Sequence, residues 1–397
     1  MWNPLILQLV AATFITLPAD KTDELDTKIV HALDFSRRQF IRAVNSSGDS
    51  LLYFRSSGPA GGWTTVPTED WTSGFFPGCL WKTYEWSEEK LFQSAAERWT
   101  AGLESQKFNT RTHDIGFMTF CSFGNGYRLT RNPHYKEVLL QAAQTLATRF
   151  NPKVGCIKSW ESGKEWVYPV IIDNMMNLEL LFWASKNGGP PALRDIAVTH
   201  ALKTMTNHVR NDGATYHVVD YDTATGEITK KQTHQGYSDE SVWARGQAWA
   251  VYGFTMTFRE TGEPRFLTTA QKVADFFVDH LPAEGVPYWD FNAPGIPNAQ
   301  HDASAAAIAS SALIELSTLE TDAGRQAKYL SAARRILATL CSPAYLAEGT
   351  PSAGILNHAV GNMPRQGEVD VSLIYADYYF LEAMLRLRAL QPDQTEE

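Results

Sequence analysis

The feature that most limits how this chain can fold is a repeated alternation of two kinds of helical pattern. One kind starts beside an acid and carries glycine, aromatic or small residues; its starts hold Asp70, Asp114, Asp173, Asp239 or Glu240, Asp302 and Asp370. The other reads as ordinary amphipathic surface helix, over about 22–44, 87–106, 133–150, 192–209, 264–280 and 323–340. Six such pairs, at roughly 45 to 70 residues each, predict an all-α fold: an (α/α)6 barrel of six inner and six outer helices with acids around its mouth. A helical solenoid would have shorter and more uniform repeats. The unequal connections point to one elaborated face. There the alternating Tyr216 to Lys231, with its Thr225-Gly226 turn, predicts a β-hairpin, and Ser56 to Gly62 predicts a loop.

Among the six starts, Ile171-Ile172-Asp173-Asn174-Met175-Met176-Asn177-Leu178 shows the pattern most clearly. Met175, Leu178 and Leu181 to Phe182 recur at the spacing of one buried helix face, which puts Asp173 at the helix start. Read alone, an acid there is an N-cap that accepts hydrogen bonds from free backbone N–H groups. Its recurrence beside aromatic and polar residues is what makes a chemical role worth testing. Asp70, Asp302 and Asp370 are read as caps.

Charge and composition exclude several classes of function. A net charge of −9 argues against nucleic acid, which calls for a basic face, so an acidic ligand would need cations placed locally. The four cysteines, Cys79, Cys121, Cys156 and Cys341, are scattered without a C-x-x-C, which excludes a zinc ribbon or a disulfide scaffold. His113-Asp114 has no further ligands at supporting spacing, so neither metal nor cofactor is expected. Twelve Trp among 397 residues are many, and indoles can either fill a core or stack on sugar faces. Leu5 to Leu17 resembles a signal-peptide apolar region, is too short for an ordinary membrane span, and predicts export. The expected organisation is a signal segment over 1–19 and a single domain over 20–397, with no membrane span.

Several longer blocks together resemble a known family. They are Asp70-Trp71-Thr72-Ser73-Gly74-Phe75-Phe76-Pro77-Gly78, His113-Asp114-Ile115-Gly116-Phe117, the Asp173 block, Arg245-Gly246-Gln247-Ala248-Trp249, Asp302 to Ala307, and Ser372 to Tyr379. In this order they resemble the unsaturated glucuronyl hydrolases of glycoside hydrolase family 88, from about Lys21 onward. The resemblance implies an (α/α)6 barrel acting on the 4,5-unsaturated uronic acid at the non-reducing end of lyase-cut glycosaminoglycan oligosaccharides. It implies hydration of the C4=C5 vinyl ether, with Asp173 as acid/base and Asp114 as its partner carboxylate. By the same matching His217 and Gln235 orient the water; Arg245 and Trp249, four apart on one helix face, line the cleft, and Trp71 and Trp160 are candidate sugar platforms or else core aromatics. The loop 356–368 lies near the mouth, where Arg365 is a candidate partner for a substrate sulfate. Unsaturated rhamnogalacturonyl hydrolases share the barrel and take pectin fragments; the His113-Asp114 carboxylate and the Asp173 block favour the glucuronyl reading. A catalytically silent saccharide-binding barrel is the third reading, and the presence of both acids speaks against it.

Overall fold

A computed structural model describes residues 19–58, 60–163 and 165–390. The signal-like stretch Leu5 to Leu17 lies outside them. Six inner helices close a ring: Phe75–Ser87, residues 115–130, Asn174–Lys186, Ala244–Thr261, Ala303–Leu319 and Ile374–Arg388, each packed on the next and the last on the first. Between them run Ala19–Ser47, Lys90–Gly102, Pro133–Ala147, Ala192–Asn207, Pro264–Asp279 and Ala323–Leu340 on the outside. This is the (α/α)6 barrel.

The two rings differ for a reason visible in their residues. Pro264–Asp279 buries Phe266, Thr269, Ala270, Val273, Ala274 and Phe277, a single stripe at helical spacing with its other face in water. Ala303–Leu319 is buried nearly all round, as a helix with neighbours on both flanks and behind must be. Crowding in the inner ring needs residues without a Cβ. At Gly253 a Cβ would lie 2.4 Å from that of Met175, and at Gly116 it would lie 2.5 Å from Asn177 Oδ1. Substitution at either would force inner helices apart.

Antiparallel sheets roof the end where the inner helices begin. The strands Pro169–Ile171, Val218–Tyr221 and Ile228–Gln232 include the expected hairpin, with Gly226 at φ +77° in its turn. A second sheet has the order Trp63–Val66, Tyr53–Ser57, Gly367–Leu373, Ala359–Asn362. It corrects two expectations. Ser56 and Ser57 belong to a strand paired with Leu373 and Ser372, so only the turn to Trp63 is loop. Asp370 is a strand residue at φ +59°, bonded to His358 Nδ1 at 2.6 Å; the helix starts at Ile374. The local pattern of Asp370 to Ser372 suits either element, and pairing with the distant Tyr53–Ser57 strand decides it.

The cap assignments divide similarly. Asp302 is a true N-cap, accepting from the Ser304 N–H at 2.9 Å. Asp70 is no helix cap: it accepts from Thr72 in a turn and pairs with Arg55 at 2.9 Å. Asp239 accepts from the Thr233 N–H, ahead of a helix that begins only at Ala244. All four cysteines are buried and unpaired. Among the described residues no helix is long and apolar enough to cross a membrane.

Candidate active site

Asp114 and Asp173 occupy the first positions of adjacent inner helices, and neither side chain caps its helix. Their helices are tied at the same level, since Asn177 Oδ1 accepts from the Phe117 N–H at 2.9 Å. Asn174 Nδ2 donates to Ile157 O, and Ser159 accepts from the His113 N–H through its carbonyl and from the Ile171 N–H through its hydroxyl. One short segment thus fixes both acids and carries Trp160 to the mouth. The adjoining strand adds His217: Ile172 N–H donates to His217 O, which sets the imidazole beside Asp173.

Asp114, Asp173 and Trp160 open on a cavity of about 240 Å³. Of the residues expected at the site, Asp114, Asp173, Gln235, Arg245, Trp71 and Trp160 line it. Trp249 does not. Its indole is fully buried, packed on Phe117 and Tyr379 with ring centroids 5.3 Å away in each case, so it forms the floor beneath Asp173 instead of a cleft wall. The spacing of four from Arg245 puts both on one helix face, but one turn deeper there is only core.

The Asp173 side chain is 13 % exposed, and burial is the main influence that pushes its pKa up to about 7. The Arg245 guanidinium opposes this, while the Asp114 carboxylate adds to it and the nearby Trp249 indole reduces it slightly. Desolvation of the charged form therefore outweighs the helix dipole, and the neighbouring acid is a smaller contribution.

His217 has a defined tautomer. The backbone N–H groups of His234 and Gln235 donate to its Nδ1 at 3.2 and 3.3 Å, so the ring proton sits on Nε2. Burial and the charges of His234 and Arg245 hold its pKa well below the usual histidine range, so it is neutral. Stacked 4.3 Å from Trp243, it directs Nε2–H at Asp173 Oδ2, 3.7 Å away, which is beyond a hydrogen bond. Both atoms are buried without a protein partner. Gln235 Nε2 donates to Gly361 O at 2.9 Å, turning its amide toward the same space.

Arg245 is 1 % exposed and held by Asp302 Oδ2 at 3.2 Å, by Gly361 O at 2.7 Å and by Val360 O. It supplies a fixed positive field with little freedom to move. A second cation, Arg55, stands just ahead of the stretch that reads as loop; Glu368 and Asp70 grip it at 2.7 and 2.9 Å, and it lines the cavity with Tyr375 and His113. No local signal marks Arg55 or Glu368, which meet only because the first and last strands pair across the barrel mouth. Gln366, Glu368 and Asp370 all have φ between +51° and +59°, a concentration of left-handed non-glycine residues beside the cavity of a kind found at binding sites.

Two facing carboxylates, one kept protonatable near neutrality, with a neutral imidazole, an amide and fixed guanidinium groups, suit acid/base chemistry on an anionic sugar. A model of Glycosyl Hydrolase Family 88 matches residues 58–340. The chain belongs to this family. The unsaturated glucuronyl hydrolase of Formosa agariphila is 48% identical over 330 residues, 82% of either chain. The crystal structure of an unsaturated glucuronyl hydrolase specific for heparin superposes with a TM-score of 0.86 at 43% identity, covering 93% of this chain and 98% of that one. An aspartate-to-asparagine mutant of the Streptococcus agalactiae unsaturated glucuronyl hydrolase, complexed with dGlcA-GalNAc6S, superposes with a TM-score of 0.75 at 27% identity over 97% of both chains. As a family 88 member the chain is a glycoside hydrolase with an (α/α)6 barrel, and the cavity at the start of its inner helices is its candidate active site.

Proposed function

We propose that this glycoside hydrolase removes the 4,5-unsaturated uronic acid from the non-reducing end of lyase-generated glycosaminoglycan oligosaccharides. The observation that carries the reading is the buried Asp173, protonatable near pH 7, with the neutral His217 N–H aimed at it. Asp173 protonates C4, and the positive charge that develops is shared by C5 and the ring oxygen. Water held by His217 and Gln235 adds at C5 and returns its proton to Asp173. The resulting hemiketal opens to a C5 ketone, and the exposed hemiacetal at C1 releases the aglycone as an alcohol. Arg245 and Arg55 offset the uronate charge inside an otherwise acidic cavity, and Trp71 and Trp160 bracket the ring. The apolar segment ahead of the domain supports export as the protein's route.

Loss of the ultraviolet absorbance of the vinyl ether is the direct assay. Unsaturated disaccharides from glycosaminoglycans are expected to lose it, and those from pectin to keep it. The reverse preference would transfer the chain to pectin breakdown, and no reaction with either would leave a saccharide-binding barrel. Arg365, whose charge reaches His234 at the cavity wall, is proposed to meet a substrate sulfate. Arg365→Ala is expected to slow sulfated disaccharides about tenfold relative to unsulfated ones; an unchanged ratio removes Arg365 from that role.

Because Asp114 raises the Asp173 pKa, Asp114→Asn is expected to move the alkaline limb of the kcat/KM profile to lower pH, by about one unit at most. Turnover itself is expected to fall steeply. An active variant with an unmoved limb would show that the two carboxylates do not interact.

A further inference from the structure

At the opposite end of the barrel, where the inner helices finish, lies a second cavity of about 430 Å³, larger than the catalytic one. Phe117 borders both, and behind it Trp249 and Tyr379 complete an aromatic partition, with successive ring centroids 5.3 Å apart. Trp183 is ten residues beyond Asp173 on the same helix, so its end of the rear cavity is on the order of 15 Å from the acid along it. No step of the proposed reaction uses the rear one.

Three observations concern what it can hold. The inner helix over 115–130 is interrupted by a π turn at Phe120–Gly124, a feature that recurs at functional sites. Phe120, Tyr127 and Trp183 form an edge-on cluster, with Trp183 centred 6.2 and 5.5 Å from the other two. All three remain partly exposed on the cavity wall, although each is large enough to be buried. The charges are unevenly matched. Lys82 and Arg386 share Glu382 at 2.9 and 3.5 Å, and Arg128 is paired with Glu85. Arg131, just past the helix end at φ +58°, is exposed on the rim, lies 5.7 Å over the Tyr127 ring, and has no ion pair among the described residues. Cations at helix C-termini are expected for stability alone. That accounts for Arg386 in the last turn of its helix and for a cation at the place of Arg131, and Lys82 is neutralised mid-helix by Glu382; it does not account for an open aromatic wall beside a guanidinium that has no ion pair.

We propose that the rear cavity is a second saccharide site, which holds one acidic sugar of a polymer chain and takes no part in the reaction. Aromatic rings offer apolar faces to a pyranose, and Arg131 offers a forked donor to its carboxylate or sulfate. The partition prevents one sugar chain from threading both cavities, so the rear site tethers a polymer while the mouth stays free for oligosaccharides. The acidic character of the occupant rests on the proposed substrate class.

The test uses native gels cast with chondroitin sulfate whose chains end in saturated sugars. The full-length protein is expected to be retarded, and Arg131→Ala and Trp183→Ala to bind at least about tenfold more weakly. Both variants are expected to keep kcat/KM on an unsaturated disaccharide within about twofold, which also verifies their folding. Should Trp183→Ala fail to fold, the rim variant Arg131→Ala decides alone. Unretarded wild type, retardation that survives Arg131→Ala, or retardation lost instead in Trp160→Ala at the catalytic mouth would each overturn the proposal. Absence of turnover on the disaccharide by the wild type would count against the proposed activity and leave the gel result intact.

Discussion

Asp173→Asn is expected to lower kcat by about 10²–10⁴-fold, the range for loss of a positioned general acid, while the fold persists. Asparagine keeps the shape and cannot donate a proton of useful acidity. The stability consequence has a definite sign. The folded pKa of about 7 lies above that of an unfolded aspartate, near 4. Below about pH 4 the group is protonated in both states and burying it costs little. Between about 4 and 7 the unfolded chain ionises first, so wild-type stability declines as pH rises and levels off above the folded pKa. The variant escapes this loss, and its melting temperature relative to wild type should be higher at pH 8 than at pH 4.5. The same pKa places an alkaline limb in the wild-type kcat/KM profile near pH 7. A variant that melts far lower at pH 8 yet keeps its activity per folded molecule would make Asp173 a structural residue.

An all-or-none difference is expected between saturated and unsaturated substrates. Hydration starts at the C4=C5 bond, so glucuronides that lack it are expected to be inert. The aglycone leaves only after the ring opens, without protonation of the linking atom by the enzyme. A sulfur-linked analogue should therefore be cleaved as well, and reaction in heavy water should place deuterium at C4. Release of saturated glucuronic acid, refusal of the thio-linkage and an unlabelled C4 would together indicate ordinary displacement at the anomeric carbon. The carboxylate-separation rule for retaining and inverting glycosidases would then apply to Asp114 and Asp173. The roles of His217 and Gln235 would have to be withdrawn with that of Asp173.

Much of this molecule follows from its residues taken in order. The alternation of glycine- and aromatic-rich helices with amphipathic ones specifies the double ring, because a helix flanked on every side needs apolar or small residues all round. Gly116 and Gly253 show the same requirement at single contacts. Asp114 and Asp173 stand at the starts of inner helices, where chain position alone places them at the mouth, and the resemblance of their blocks to family 88 singled them out from the other acids there.

What needed the tertiary structure was whatever depends on partners distant in sequence. Arg55 joins the cavity through Glu368, 313 residues away, and Asp370 is strand instead of helix cap because a strand from the other end of the chain lies beside it. Trp249 has a sugar-binding residue's composition and spacing, yet depth in the barrel makes it floor. The proton on His217 Nε2 is dictated by two backbone N–H groups of the segment just after the hairpin, and the raised pKa of Asp173 by desolvation; neither burial nor hydrogen-bond direction is encoded by residue type. Local pattern determines which elements form and which faces they bury, since those energies depend on near neighbours. The protonation states that chemistry needs depend on water excluded and charges gathered by the whole ring, and they exist only once it has closed.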